Sequence, residues 1–228
     1  MQKTVSILLL LTITIACNEA KIKSKKNSEQ LVTTAIDSST IQAKSKENQP
    51  YDYDTILKNG YNLSYRIYAD SIENDTLQSL TLVKKGRDIR TLNETSYPML
   101  HKSLGYIGAD FEDSFVFVQS FGSGNPKEIQ LIIKKTGKEI KAGIWVDANE
   151  KEEILLYIEN IHEHNEQLKM YDVKSKKEVI INDFKNSKCY KEYPEGLRSC
   201  VEIDTVTKSK IVLKIDTDDE KILKTYNR

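Results

Sequence analysis

The residues best suited to chemistry fall in a few short segments. His162 and His164 flank Glu163. On a strand, positions i and i+2 point to the same side, so both imidazoles can reach one Zn²⁺ or Cu²⁺. His101, Glu159 and Glu166 are the candidate third ligands. The same segment, rich in Glu and Asn, equally suits a solvated hairpin tip. Cys189 and Cys200 stand eleven positions apart. In an exported domain this pair reads as one structural disulfide, with a redox-active pair as the alternative. Residues 121–126, from Phe121 through Gly122 and Gly124 to Pro126, form the glycine-rich stretch. No Gly-Lys-Ser/Thr follows, so it is not a P-loop. It reads as a hairpin loop, or as a backbone surface for a ligand beside Trp145. Asp110, Glu112 and Asp113 form one acidic cluster, and residues 216–220 another. Paired carboxylates can hydrolyse glycosides or hold Ca²⁺, but acidic turns also serve as edge protection. No catalytic Ser/His/Asp or Cys/His arrangement is evident, and no cofactor is implied.

These residues need a scaffold, and composition locates it. The chain has 228 residues, 34 Lys+Arg against 34 Asp+Glu, and zero formal charge. A dedicated nucleic-acid binder would carry a basic excess. All twelve Tyr, all five Phe, the single Trp and all nine Gly lie after residue 50. Residues 51–228 are therefore the folded domain, and residues 17–50 a polar tether unable to offset its ordering entropy by burial.

Within the domain the period is two. Tyr61, Leu63, Tyr65 and Ile67 alternate with polar residues, as in a half-buried strand. Residues 115–118 (FVFV), 129–133 (IQLII) and 154–158 (ILLYI) are short apolar runs of β-formers between turn signals. The sequence predicts one short helix over 96–104, with Pro98 in its first turn and Gly105 at its stop. A repeat appears at a spacing of 39: residues 115–118 align with 154–157, 129–132 with 168–171, and 136–140 with 175–179. Weaker copies cover 80–89 and 203–212. The expected fold is all-β, an antiparallel meander of repeated hairpins, propeller-like or curled, with a β-sandwich as the alternative.

The turns between these hairpins are basic: Lys84, Lys85 and Arg87; Lys134, Lys135 and Lys138; Lys174, Lys176 and Lys177; Lys208 and Lys210. Hairpins in register would set them along one edge, where Lys134, Lys135, Lys174 and Lys177 would attract an anionic glycan or lipid. Lysines at exposed turns also simply oppose strand pairing between molecules.

The N-terminus gives an address. Lys3 precedes the apolar run 5–16 (VSILLLLTITIA), which is too short to span a bilayer and ends at Ala16-Cys17. This resembles the signal and lipobox of bacterial lipoproteins. The resemblance implies a signal peptide over 1–16, cleavage before Cys17 and lipidation of that residue. Asn18 in place of Asp implies the outer membrane, and the lack of a following acidic run favours its periplasmic face. An ordinary secretory signal is the alternative and would leave a free Cys17 thiol. Beyond the anchor, the style of the domain resembles that of Gram-negative envelope lipoproteins. The combined expectation is a lipid-anchored envelope protein acting as a non-enzymatic binding or assembly module. Its partners would be the membrane, through the lipid, and an envelope protein or anionic glycan or lipid. A hydrolase of envelope carbohydrate or peptide and a metal binder through His162 and His164 are the alternatives. Mass spectrometry of the protein from its native membrane is expected to show an acylated N-terminal Cys17; a different mature N-terminus refutes the assignment.

Overall fold

The computed structural model describes residues 55–70, 75–99, 101–122, 126–160, 165–192, 197 and 199–228. Cys17, the tether, His162 and His164 lie outside them.

Fourteen strands form three antiparallel sheets among these residues. The first holds β1 (Thr55–Leu57), β2 (Tyr61–Asp70), β3 (Asp75–Lys84) and β4 (Arg87–Ser96) in chain order. The second has seven strands, also in chain order: β5 (Tyr106–Asp110), β6 (Ser114–Gln119), β7 (Glu128–Ile133), β8 (Glu139–Asn149), β9 (Ile154–Glu159), β10 (Gln167–Asp172) and β11 (Lys177–Ile181). The third holds β12 (Val201–Val206), β13 (Lys210–Asp216) and β14 (Lys221–Asn227). The fold is all-β, and no described sheet closes into a barrel.

Apolar patterning decides which strands lie inside. In β6, Phe115 and Phe117 pack toward Leu63, Leu80 and Leu82 of the first sheet, while Val116 and Val118 pack toward Leu155 and Tyr157 of β9. In β9 the other face, Ile154, Leu156 and Ile158, meets Ile211, Leu213 and Ile215 of the third sheet. Strands buried on both faces need no alternation and read as continuous apolar runs. β2 and β13 bury one face only, so they alternate. Three separate apolar clusters thus fill three interfaces between four layers: the first sheet, β5 to β7, β9 to β11, and the third sheet.

The seven-stranded sheet supplies both inner layers because it folds at β8. The first half of β8 pairs with β7 (Glu139↔Ile132 to Ile144↔Glu128), and its second half with β9 (Ile144↔Ile158 to Asn149↔Ile154). Register shifts interrupt both ladders. The fold needs a close backbone approach at Gly143, where a Cβ would stand 2.2 Å from the Ile158 carbonyl oxygen and 2.9 Å from the Tyr157 ring. The 39-residue repeat corresponds to β6-β7-β8 and β9-β10-β11, three strands per copy. The weaker copies are the β3–β4 hairpin around Gly86 and the β12–β13 hairpin around Thr207.

One expectation needs correcting. Residues 96–104 are not one helix: β4 continues to Ser96, and among the described residues of this stretch only His101–Leu104 is helical. The proline ring at 98 keeps its predecessor Tyr97 out of helical backbone, and the Tyr97 amide instead donates to the Thr76 carbonyl. A second short helix, Lys188–Glu192, carries Cys189, which is disulfide-bonded to Cys200 at a Cα separation of 5.7 Å. This bond pins the helix to the start of β12. Asp147 joins the second and third sheets by accepting from the Ile203 amide at 2.7 Å, and burial pushes its carboxyl up from the ordinary value. Gly143→Ala is expected to lower stability by at least about 1–3 kcal/mol in chemical denaturation, because the clashing atom is a backbone carbonyl that cannot rotate away. An unchanged midpoint would show that β8 folds elsewhere.

Candidate functional site

The turns gather at one end of the stack. The β5–β6 turn, residues 111–113, is the hub. Lys134, only 1% exposed, sends its ammonium to Asp110 Oδ1 at 2.7 Å and to the carbonyls of Phe111 at 2.5 Å and Glu112 at 3.0 Å. The two carbonyls accept hydrogen bonds from the ammonium, and Asp110 Oδ1 offsets its charge as an ion-pair partner. Asp110 Oδ2 accepts the Lys58 amide at 2.8 Å, its backbone carbonyl accepts Lys58 Nζ at 2.6 Å, and Asn59 Nδ2 donates to the Glu112 carbonyl at 2.9 Å. From the other side, Glu150 Oε1 accepts the Asp110 amide at 3.1 Å, and Glu153 Oε1 accepts the Glu112 amide at 2.9 Å. Arg90 adds a bond to the Gly137 carbonyl at 2.9 Å, joining β4 to the β7–β8 turn.

Arg228 makes a second junction at this end. Its guanidinium binds Asp172 at 2.7 Å, the Glu152 carboxylate at 3.1 Å and carbonyl at 2.9 Å, and the Thr207 carbonyl at 3.2 Å. Burial pushes the Asp172 carboxyl up, but the bonds from Arg228 and Ser175 outweigh it and hold the group below its ordinary value.

Between these braces lies a cleft of about 850 Å³, within the range of small-ligand pockets. Lys58, from the β1–β2 connection, and Tyr61 line it on one side, with Glu112 and Asp113 from the β5–β6 turn and Ser114 from the start of β6. Ile133, Lys135 and Ile140 flank the β7–β8 turn, and Glu150, Lys151 and Glu153 form the β8–β9 turn. Tyr171, Val173, Lys174 and Lys176 complete it from β10–β11. Ile140 and Glu150 both reach it, although ten extended residues would carry the chain about 33 Å. The fold in β8 makes that possible.

The residues singled out from the sequence distribute as follows. Lys135 and Lys174 line the cleft. Lys177 turns to a separate groove with Asp172 and Arg228. Lys134 is no exposed turn residue: it is buried and spent on Asp110. The edge is not purely basic either, because Glu112, Asp113, Glu150 and Glu153 interleave with its lysines. Phe121 is half exposed on the β6–β7 connection, at the far end of β6 from the cleft. Trp145 packs in the inner interface, its ring 3.1 Å from where a Gly108 Cβ would stand, so Gly108 makes room for it. The residues 216–220 form the β13–β14 turn, with Asp216 paired to Lys221. Among the described residues no three His, Cys, Asp or Glu stand close enough to hold a metal. Ser114, Lys151 and Glu153 were not apparent from sequence; the signal was a serine heading a fully buried run and charged residues at a second tight turn.

No family model, no curated protein and no solved structure matches the chain.

Removing the Lys134 ammonium strands Asp110 and two carbonyls. Lys134→Ala is expected to cost about 3–5 kcal/mol in equilibrium unfolding, the scale for breaking a buried pair. Lys135→Ala, one residue on and exposed, is the control and should change stability little. Equal effects of the two would refute the hub.

Proposed function

We propose that this chain is a cell-envelope lipoprotein, anchored through Cys17, whose β domain is a non-enzymatic binding module working through the turn-end cleft. The address rests on the short apolar run closing at Ala16-Cys17. The observation that carries the binding role is the cleft itself: connections from three of the four layers converge on it and are braced there by polar contacts around the buried Lys134. Such bracing presents side chains from sequence-distant turns in a fixed arrangement, which lowers the ordering cost of recognition. Hairpin turns can vary in side chains without disturbing the strands that carry them, a usual place for a site on a rigid scaffold.

The anchored full-length protein tests this reading. A photo-crosslinking residue at Lys151 or Lys176 is expected to capture an envelope component in the native membrane, whereas the same residue at Thr225, exposed on β14, should not. Capture from Thr225 alone, or from no position, would overturn the cleft as the working surface.

A further inference from the structure

We propose that the ligand of this cleft is an anionic saccharide, a sugar bearing a carboxylate or phosphate; the inference rests on the binding reading above. The first ground is an asymmetry between the cationic and anionic side chains of the wall. Its carboxylates are largely engaged by neighbouring donors. Glu153, 8% exposed, accepts the Glu112 amide, Glu150 accepts the Asp110 amide, and Glu112 Oε1 accepts Asn59 Nδ2 at 3.1 Å. Asp113 alone stands exposed on its turn without such a bond among the described residues. The lysines differ. Lys135, Lys151 and Lys176 are exposed, come from three different turns, and make no ion pair among the described residues. Among the described residues the Lys174 ammonium donates only to the Lys151 carbonyl, at 3.3 Å. Ammonium groups without carboxylate partners around a concave wall favour an anion, and spacing over three turns favours one held from several sides.

The second ground is Ser114. It is 2% exposed, lines the cleft, and its Oγ has no hydrogen-bond partner among the described residues. A buried hydroxyl left unpaired costs about 1–3 kcal/mol, so a ligand that draws this closed-off Oγ toward the cleft with a hydroxyl or carboxylate oxygen recovers that loss. The third ground is the apolar part of the wall, Ile133, Ile140, Val173 and the Tyr171 side chain. A sugar offers all three complements at once: hydroxyls for Ser114, a C–H face for the apolar wall, and an acidic group for the lysines. Inorganic phosphate lacks the C–H face, and an acidic peptide lacks the compact polyhydroxyl ring.

Calorimetric titration of the full-length protein in neutral detergent tests this with five probes: trigalacturonate, glucose 6-phosphate, maltotriose, inorganic phosphate and hexaglutamate. One of the two anionic sugars is expected to bind best, and which one does names the acidic group. Its affinity should fall as salt rises. The triple variant Lys135→Gln, Lys151→Gln, Lys176→Gln should lose at least about ten-fold in affinity with its melting temperature nearly unchanged. Ser114→Ala, which folds without the unpaired hydroxyl, should bind several-fold more weakly. The inference is overturned if phosphate or hexaglutamate binds as tightly as the sugars, if maltotriose does, or if the lysine variant binds like the parent. Failure of every probe while cross-linking from Lys151 persists would remove the saccharide and leave the binding module. Failure of both would remove both.

Discussion

One buried ammonium organises this molecule. Lys134 leaves water entirely and is held by a carboxylate and two carbonyls, all from the segment 110–112. A charge in that position persists only if its acceptors stay in place, so the β5–β6 turn is fixed wherever Lys134 is fixed. Once fixed, that turn serves both flanks. It offers Asp110 to the chain around Lys58 on one side, and its amides to Glu150 and Glu153 on the other. The three hydrophobic clusters hold neighbouring layers face to face, but apolar contact is non-directional and would tolerate sliding. The polar hub sets the alignment of the turns, and the cleft exists because the turns are aligned.

Much of this architecture was legible in the sequence, for a simple reason. A strand with two buried faces has no place for polar residues, and a strand with one has them at every second position. The runs at 115–118 and 154–158 were legible as strands and lie in the inner layers, and the half-buried strand legible at 61–67 lies in an outer sheet. The 39-residue repeat survived because both inner layers solve the same packing problem. The fold in β8 was not legible, since Gly143 acts through the distant Ile158 carbonyl and no local pattern records that contact. The helix failed at its start for a similar reason: pairing with β3 extends β4 to Ser96, and pairing is not local.

The site was less legible than the fold. Lys134 and Lys135 are chemically identical neighbours with opposite fates, one inside the hub and one at the cleft. Strand parity offered a hint, because Lys134 stands two positions beyond the buried Ile132. Its partner Asp110 lies in an acidic cluster that also reads as a solvated turn, and only the fold brings the two to 2.7 Å. Ser114 and Glu153 carry only weak local signals, a serine at the head of a buried run and a charged residue at a tight turn. Their importance lies in what surrounds them, which sequence spacing does not encode.

The double membership of β8 shapes how the molecule comes apart. Its backbone ladder runs into both inner layers, so the two are tied to each other by amide pairs and not by side chains alone. The first and third sheets share no strand with that core and attach through side chains, a few polar bonds and apolar contact. Deuterium should accordingly enter the outer sheets first, while the amides of β6, β7, β9 and β10 exchange together and last. The stack then behaves as a rigid inner pair carrying two peelable covers, and Lys135 and Lys176, which a cleft ligand would bridge, both belong to the pair.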